Sequence, residues 1–224
     1  MVATIIPEQE AHVHDALDTA RIASLAGGAV LRERLGSVGA VRSKGTETDF
    51  VTESDIASGL AVARAIRECD PSARMLVEEP EVHEQLGIEP ARIEDGGELW
   101  VVDPIDGTTS FLHGFPCFSV SVALLRDGRP VAGAVHNVAL GEVISAAEGL
   151  GADKDGTPIR CTSAAAVNEA LVVTGFPYDR GAPLDRQLAV LAAFLRAPVH
   201  GIRRDGSAAV DCTHVATGRA DGFW

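Results

Sequence analysis

Two carboxylates stand three residues apart in the segment Trp100-Val101-Val102-Asp103-Pro104-Ile105-Asp106-Gly107-Thr108-Thr109-Ser110-Phe111. Pro104 keeps Asp103 out of the α region, so that carboxylate sits in extended backbone at the end of a strand over 99–102. Asp106-Gly107 then turns the chain, and Thr108-Thr109-Ser110 opens a helical turn whose first backbone N–H groups have no helical partner. Carboxylates on such an elbow can share a hard cation, which takes oxygen ligands, and the neighbouring N–H groups can receive a phosphate. The same string is compatible with a plain turn, because Asp-Pro and Asp-Gly are ordinary turn dipeptides. Glu78-Glu79, following the apolar Met75-Leu76-Val77, could complete the cluster. With Glu81, Glu84 and Glu89 nearby, it also reads as a solvated acidic loop. Asp55 fits a capping box with Thr52 as well as it fits a catalytic role.

These residues need elements to hold them. The spacing predicts a long helix from Glu8 to about Leu35, with Ile22, Leu25, Ala26 and Ala29 on its apolar stripe. Gly36 to Gly45 breaks it, and a second helix capped at Thr52 runs to about Glu68, stopped by Asp70-Pro71. The stretch from Glu78 to Gly97 reads as acidic turns. Alternation predicts a strand over Phe118–Leu124, the Asp127-Gly128 turn leads into a strand to about Asn137, and Glu142–Ala147 forms a third. An Asp155-Gly156 turn and a strand at Ala170–Thr174 precede a helix from about Leu184 to Arg196. A last helix places Ala208, Cys212, Val215 and Ala216 on one face, with Gly218 closing it. Helices followed by hairpin-linked strands and then alternation indicate an α+β fold of packed layers. The expected division is an N-terminal α+β part, 1–148, bearing the carboxylates, and a C-terminal α/β part, 149–224.

Composition narrows the chemistry. With 32 Asp+Glu against 19 Lys+Arg the net charge is −13 over 224 residues. A nucleic-acid grip needs a basic patch, which this chain lacks. An acidic protein can still handle phosphates when metal ions stand between. Cys69, Cys117, Cys161 and Cys212 are spaced for neither a zinc knuckle nor a disulfide framework and are expected to pack as small apolar residues. No histidines pair at ligand spacing, and His12 and His14 are given surface roles. The N-terminus lacks a signal-peptide pattern, and no apolar run approaches the ~18 residues of a membrane span. A cytoplasmic protein that engages neither membrane nor nucleic acid is expected.

DPIDGTTSF at 103–111, the upstream Glu78-Glu79, the segment Asp49-Phe50-Val51-Thr52-Glu53-Ser54-Asp55 and the late Gly201-Ile202-Arg203-Arg204-Asp205-Gly206-Ser207-Ala208-Ala209 together resemble the inositol monophosphatase family, in the family's order. The resemblance implies a layered α/β/α/β/α sandwich of the inositol monophosphatase and fructose-1,6-bisphosphatase type, assembled as a homodimer. It also implies Mg²⁺-dependent, lithium-sensitive hydrolysis of a small phosphorylated metabolite. By that resemblance Glu78, Asp103 and the Ile105 carbonyl form a first metal site, and Asp103 and Asp106 share a second. Asp55 and Thr108 would orient and deprotonate the attacking water. The Gly107 and Thr108 N–H groups would hold phosphate oxygens, and Ala208 would pack on the substrate.

The sequence departs from the family pattern at Val77, where Gly or Ser is usual, and at Ser110, where Asn is commoner. It also ends at Asp221-Gly222-Phe223-Trp224, before the family's substrate-binding Glu and the Trp-Asp motif that completes the second metal site. A truncated C-terminal layer is therefore expected, with Phe223 and Trp224 left little to pack on. Inositol monophosphate is the leading substrate expectation. Relatives that hydrolyse histidinol phosphate, fructose 1,6-bisphosphate or 3′-phosphoadenosine 5′-phosphate share the metal motifs, and a non-catalytic partner-binding protein on the same fold is the rival class.

Overall fold

The computed structural model describes residues 7–37, 41–43, 50–176 and 181–224. Helix α1 (Pro7–Arg34) is followed by the antiparallel pair β1 (Val41–Ser43) and β2 (Phe50–Thr52), then α2 (Glu53–Cys69), β3 (Met75–Val77), α3 (Pro80–Leu86), β4 (Glu98–Asp106) and α4 (Thr108–Leu112). A meander follows: β5 (Ser119–Arg126), β6 (Arg129–Asn137), β7 (Glu142–Ala147), β8 (Gly151–Lys154) and β9 (Thr157–Pro158). The chain closes with β10 (Leu171–Val173), α5 (Ala182–Arg196), β11 (Gly201–Arg203), α6 (Ala208–Ala216) and β12 (Gly222–Phe223).

Strands β3 to β9 form one seven-stranded sheet in chain order, parallel only between β3 and β4. Its two-residue turns carry Asp127 at φ 51° with Gly128 at 76°, and Asp155 at φ 50° with Gly156 at 80°. Both central residues of a tight hairpin turn need this left-handed backbone. A second, all-parallel sheet has the order β11-β10-β12. Helices α1 and α2 cover one face of the large sheet, α6 lies between the two sheets, and α5 lies against the small one. The result is an α+β sandwich in five layers. No helix among the described residues is long and apolar enough to cross a membrane.

Helix α1 buries a different face from the one its large apolar residues suggest. Val13, Ala16, Leu17, Ala20, Ala23 and Leu31 are buried, whereas Ile22 and Leu25 are 52% and 44% exposed. The reason is close approach. A Cβ on Gly27 would stand 2.7 Å from Val62 and 2.8 Å from Ser58, and one on Gly28 would fall within the His136 ring. Small residues let the helix axis come down onto the sheet, and that contact outweighs the gain from burying two larger side chains.

Other expectations also change. The acidic stretch after Glu79 holds α3, with Pro80 in its first turn and Gly87 capping it at φ 61°. His83 anchors this helix by accepting the Val77 N–H on Nε2 at 3.0 Å. On α6 the buried residues are Val210, Asp211 and Thr213, while Ala208 and Cys212 are exposed. Only Cys117 is a buried cysteine; Cys69, Cys161 and Cys212 are exposed. Trp224 is not left unpacked: its ring stacks on Phe194 of α5 at 4.5 Å, because α5 folds back over the small sheet.

The approach of α1 to the sheet can be tested at Gly28. Gly→Ala in a helix interior gains about 1 kcal/mol in propensity, but overpacking against a buried ring costs about 1–3 kcal/mol. Gly28→Ala is therefore expected to be net destabilising in urea unfolding, with His136→Ala in the same chain recovering part of the loss. A Gly28→Ala chain more stable than wild type would show that the sheet does not limit α1 here.

Candidate active site

The site is built at the end of β4. Asp103 to Asp106 leave the regular ladder with β5, where the register shifts between these residues and Asp106 comes opposite Ser119. The Ile105 N–H donates to Asp103 Oδ1 at 3.1 Å, which holds that side chain over the turn. Gly107, at φ 98°, then starts α4. A Cβ at this position would meet the Cys117 carbonyl at 2.9 Å and the Gly206 carbonyl at 3.1 Å, so both backbone conformation and space require glycine. Edge-to-face packing of Phe111 on Phe118, at 5.2 Å, fixes α4 against the start of β5.

Two elements remote in sequence bring their side chains here. Asp55, in the first turn of α2, is 1% exposed. Its Oδ2 accepts the Thr52 N–H at 2.8 Å and the Thr52 hydroxyl at 2.6 Å, so the capping box is formed. The other oxygen, Oδ1, accepts the Thr108 hydroxyl at 3.1 Å, and that hydroxyl also lies 3.1 Å from the Ile105 carbonyl. Asp55 thus closes the capping box with one oxygen and meets Thr108 with the other. At the C-terminal end, Asp106 Oδ2 accepts the Ser207 hydroxyl at 2.7 Å and the Ala209 N–H at 2.6 Å.

Asp103 carries the electrostatic load. Burial, followed by the neighbouring charges of Glu78 and Asp106, pushes its carboxyl up to about 9. Glu78 shares a hydrogen bond with it, and two carboxyl groups can do so only if one holds a proton. Behind Asp106, burial and then the charges of Asp205 and Asp106 raise Asp211 to about 7. Burial, with Asp205 and Asp211, pushes the Cys117 thiol up to about 12 and leaves it no nucleophile. No three Asp, Glu, His or Cys side chains among the described residues converge on one point to close a metal site unaided. The donors present, carboxylates and a carbonyl, are all oxygen. That set fits Mg²⁺, which takes one or two carboxylates and fills its remaining positions with water and substrate phosphate.

A sequence model described as the inositol monophosphatase family matches residues 13–224. The chain belongs to this family. It is 38% identical over 208 residues to an inositol-1-monophosphatase of Synechocystis, covering 93% of this chain and 69% of the relative. It is 35% identical over 209 residues to a putative Nus factor SuhB of Neisseria meningitidis serogroup B, covering 93% and 77%. Among solved structures, the extragenic suppressor protein suhB of Bartonella henselae superposes with a TM-score of 0.82 at 33% identity, covering 93% of this chain and 77% of that one.

Of the residues that the family resemblance singled out, the structure brings Glu78 to Asp103, places Asp106 beside them, and joins Asp55 to Thr108. Gly107 lies at the head of α4, and the Ile105 carbonyl faces the Thr108 hydroxyl. Ala208 stands exposed at the start of α6, next to the Ala209 N–H that binds Asp106. Residue-type reasoning missed Ser119, Ser207 and Asp211. Gly-Ser ahead of an apolar run is a helix-start signal for Ser207, but nothing local connects it to Asp106.

The raised Asp103 carboxyl sets a pH dependence. In the metal-free fold the group keeps a proton that the unfolded chain releases near the ordinary carboxylate range, so the fold loses stability as pH rises through that window toward 9. Asp103→Asn removes the penalty. The metal-free variant is expected to melt about 3–5 °C above wild type near pH 8 and to show little advantage near pH 4, read by calorimetric scans. Equal melting across that range would mean Asp103 is an ordinary ionised carboxylate.

Proposed function

We propose that this protein is a Mg²⁺-dependent phosphomonoesterase that hydrolyses a small phosphorylated metabolite, with inositol monophosphate as its substrate, and that it works in the cytoplasm as a lithium-sensitive homodimer. One observation carries the reading: the Thr108 hydroxyl is held between the Asp55 carboxylate and the Ile105 carbonyl, next to the Glu78–Asp103 pair. A phosphate ester brings negative charge into a site already rich in it, and only a cation can reconcile the two. Glu78, Asp103, Asp106 and the Ile105 carbonyl would hold Mg²⁺, which when bound supplies charge neutralisation at the phosphate and a lowered pKa for a coordinated water.

The chain's own residues do the rest. Thr52 pins one oxygen of Asp55 and aims the other at Thr108. With its proton pointed at Asp55, the Thr108 oxygen presents a lone pair to a water. As that water attacks phosphorus, its proton passes to Thr108 and the Thr108 proton to Asp55. The Gly107 and Thr108 N–H groups at the head of α4 hold phosphate oxygens while the ester oxygen departs and takes up a proton from solvent water, to which Asp55 returns the proton it received. Ala208 offers a small apolar surface to the ring of the alcohol.

A second reading, a partner-binding protein on the same fold, is favoured by the SuhB relatives named as Nus factors. Phosphate release from a panel of phosphorylated polyols, sugars, amino alcohols and nucleotides, with and without Mg²⁺, separates the two. Mg²⁺-dependent turnover is expected, highest with inositol monophosphate. Cation binding without release from any member would favour the partner-binding role.

Thr108→Ala is expected to lower kcat about 10²–10³-fold, the range for loss of a positioned proton-transfer group, with the half-saturating Mg²⁺ concentration unchanged. Thr108→Ser should restore most of the rate. Loss of Mg²⁺ affinity in parallel with kcat would place Thr108 among the cation ligands instead.

A further inference from the structure

Ser207 spends every hydrogen-bonding position it has. The residue is 0% exposed and sits at the N-cap of α6. Its hydroxyl lies 2.7 Å from Asp106 Oδ2, accepts the Val210 N–H at 3.2 Å and lies 3.2 Å from Ser119 Oγ. A serine hydroxyl has one proton and two lone pairs. Asp106 Oδ2 accepts, so the Ser207 proton goes to it and Ser119 must donate to Ser207. Ser119 is itself 0% exposed and stands opposite Asp106 in the β4–β5 ladder. With the Ala209 N–H at 2.6 Å, Asp106 Oδ2 has two donors fixed by one helix end. Rotation of the carboxylate would break both bonds in a partly buried place, and would leave the fully buried Ser207 hydroxyl without its acceptor, which is costly.

We propose that Ser207 is a positioning residue for the cation site: by engaging Asp106 Oδ2 it restricts that carboxylate to offering one oxygen, Oδ1, to a divalent ion. This rests on the reading of Asp106 as a metal ligand. The consequence is selectivity. Mg²⁺ is small and demands near-octahedral geometry with single-oxygen ligands, whereas Ca²⁺ accepts bidentate carboxylates in looser shells. An Asp106 whose second oxygen is already occupied cannot become bidentate, so the site discriminates against the larger ion. Helix α6 thereby sets the geometry of a site whose carboxylates lie just after β3 and on β4.

The test measures ion binding and needs no substrate. Free Mn²⁺ is followed by electron paramagnetic resonance, and Mg²⁺ and Ca²⁺ are titrated as competitors into the full chain. Ser207→Ala is expected to weaken Mg²⁺ competition about tenfold, the scale of loss when a partner that orients a ligand is removed. Ca²⁺ competition should be unchanged or tighter, so the Mg²⁺/Ca²⁺ preference falls by about that factor. Ser207→Thr, which keeps the hydroxyl, should stay close to wild type. Val210→Ala loosens α6 without touching Asp106 and controls for destabilisation; it should lower Tm yet leave the ion preference intact. An unchanged preference in Ser207→Ala, or an equal drop in Val210→Ala, overturns the positioning role. If wild type binds no Mn²⁺ at all, the cation reading of the site fails, and this proposal with it.

Discussion

Burying Asp103 among like charges is the constraint around which this molecule is organised. A carboxyl pushed up to about 9 by burial and by Glu78 and Asp106 is held in an unfavourable place, and the surrounding structure has to be stiff enough to keep it there. Stiffness comes from β4, whose Trp100 and Val102 are buried and which is paired on both edges. It also comes from α2, where Ser58 donates to the Pro104 carbonyl at 2.9 Å and Gly59 lets the helix lie against Pro104 and Val82. The elbow at Gly107 then turns the chain within a carbonyl-lined gap that admits no side chain.

Two other acids of the site are handled in the same way. Asp55 and Asp106 each have one oxygen held by a hydroxyl and a backbone N–H, from Thr52 in one case and from Ser207 and Ala209 in the other. Hydrogen bonds to an ionised group are among the stronger ones in proteins, so these pairings orient the acids as well as stabilise them. Thr108, at the head of α4, is oriented by Asp55 Oδ1 and the Ile105 carbonyl.

Much of this was legible in the sequence wherever a few consecutive residues decide the outcome. The extended Asp103 ahead of Pro104, the turn at Gly107, the Thr52–Asp55 capping box and both Asp-Gly hairpins are properties of short strings. The faces of α1 and α6 were not legible, because which stripe is buried depends on how closely the partner approaches. Gly27 and Gly28 admit the sheet more closely than Ile22 and Leu25 would. The pairing of Thr108 with Asp55, 53 residues away, was implied by family resemblance rather than by spacing. The Asp106–Ser207 bond spans 101 residues and is a product of tertiary packing alone.

That span has a consequence for the order in which the molecule assembles. Glu78, just past β3, and Asp103 and Asp106 of β4 meet within one local unit, since β3 pairs with β4. Closing a loop of about a hundred residues carries a larger entropic cost than any single hairpin of the meander, which favours docking of α6 onto a large sheet already formed. In that order the negative charge is gathered before it is aimed. On the proposed cation reading, selectivity would then depend on α6 and not on the sheet that carries the carboxylates.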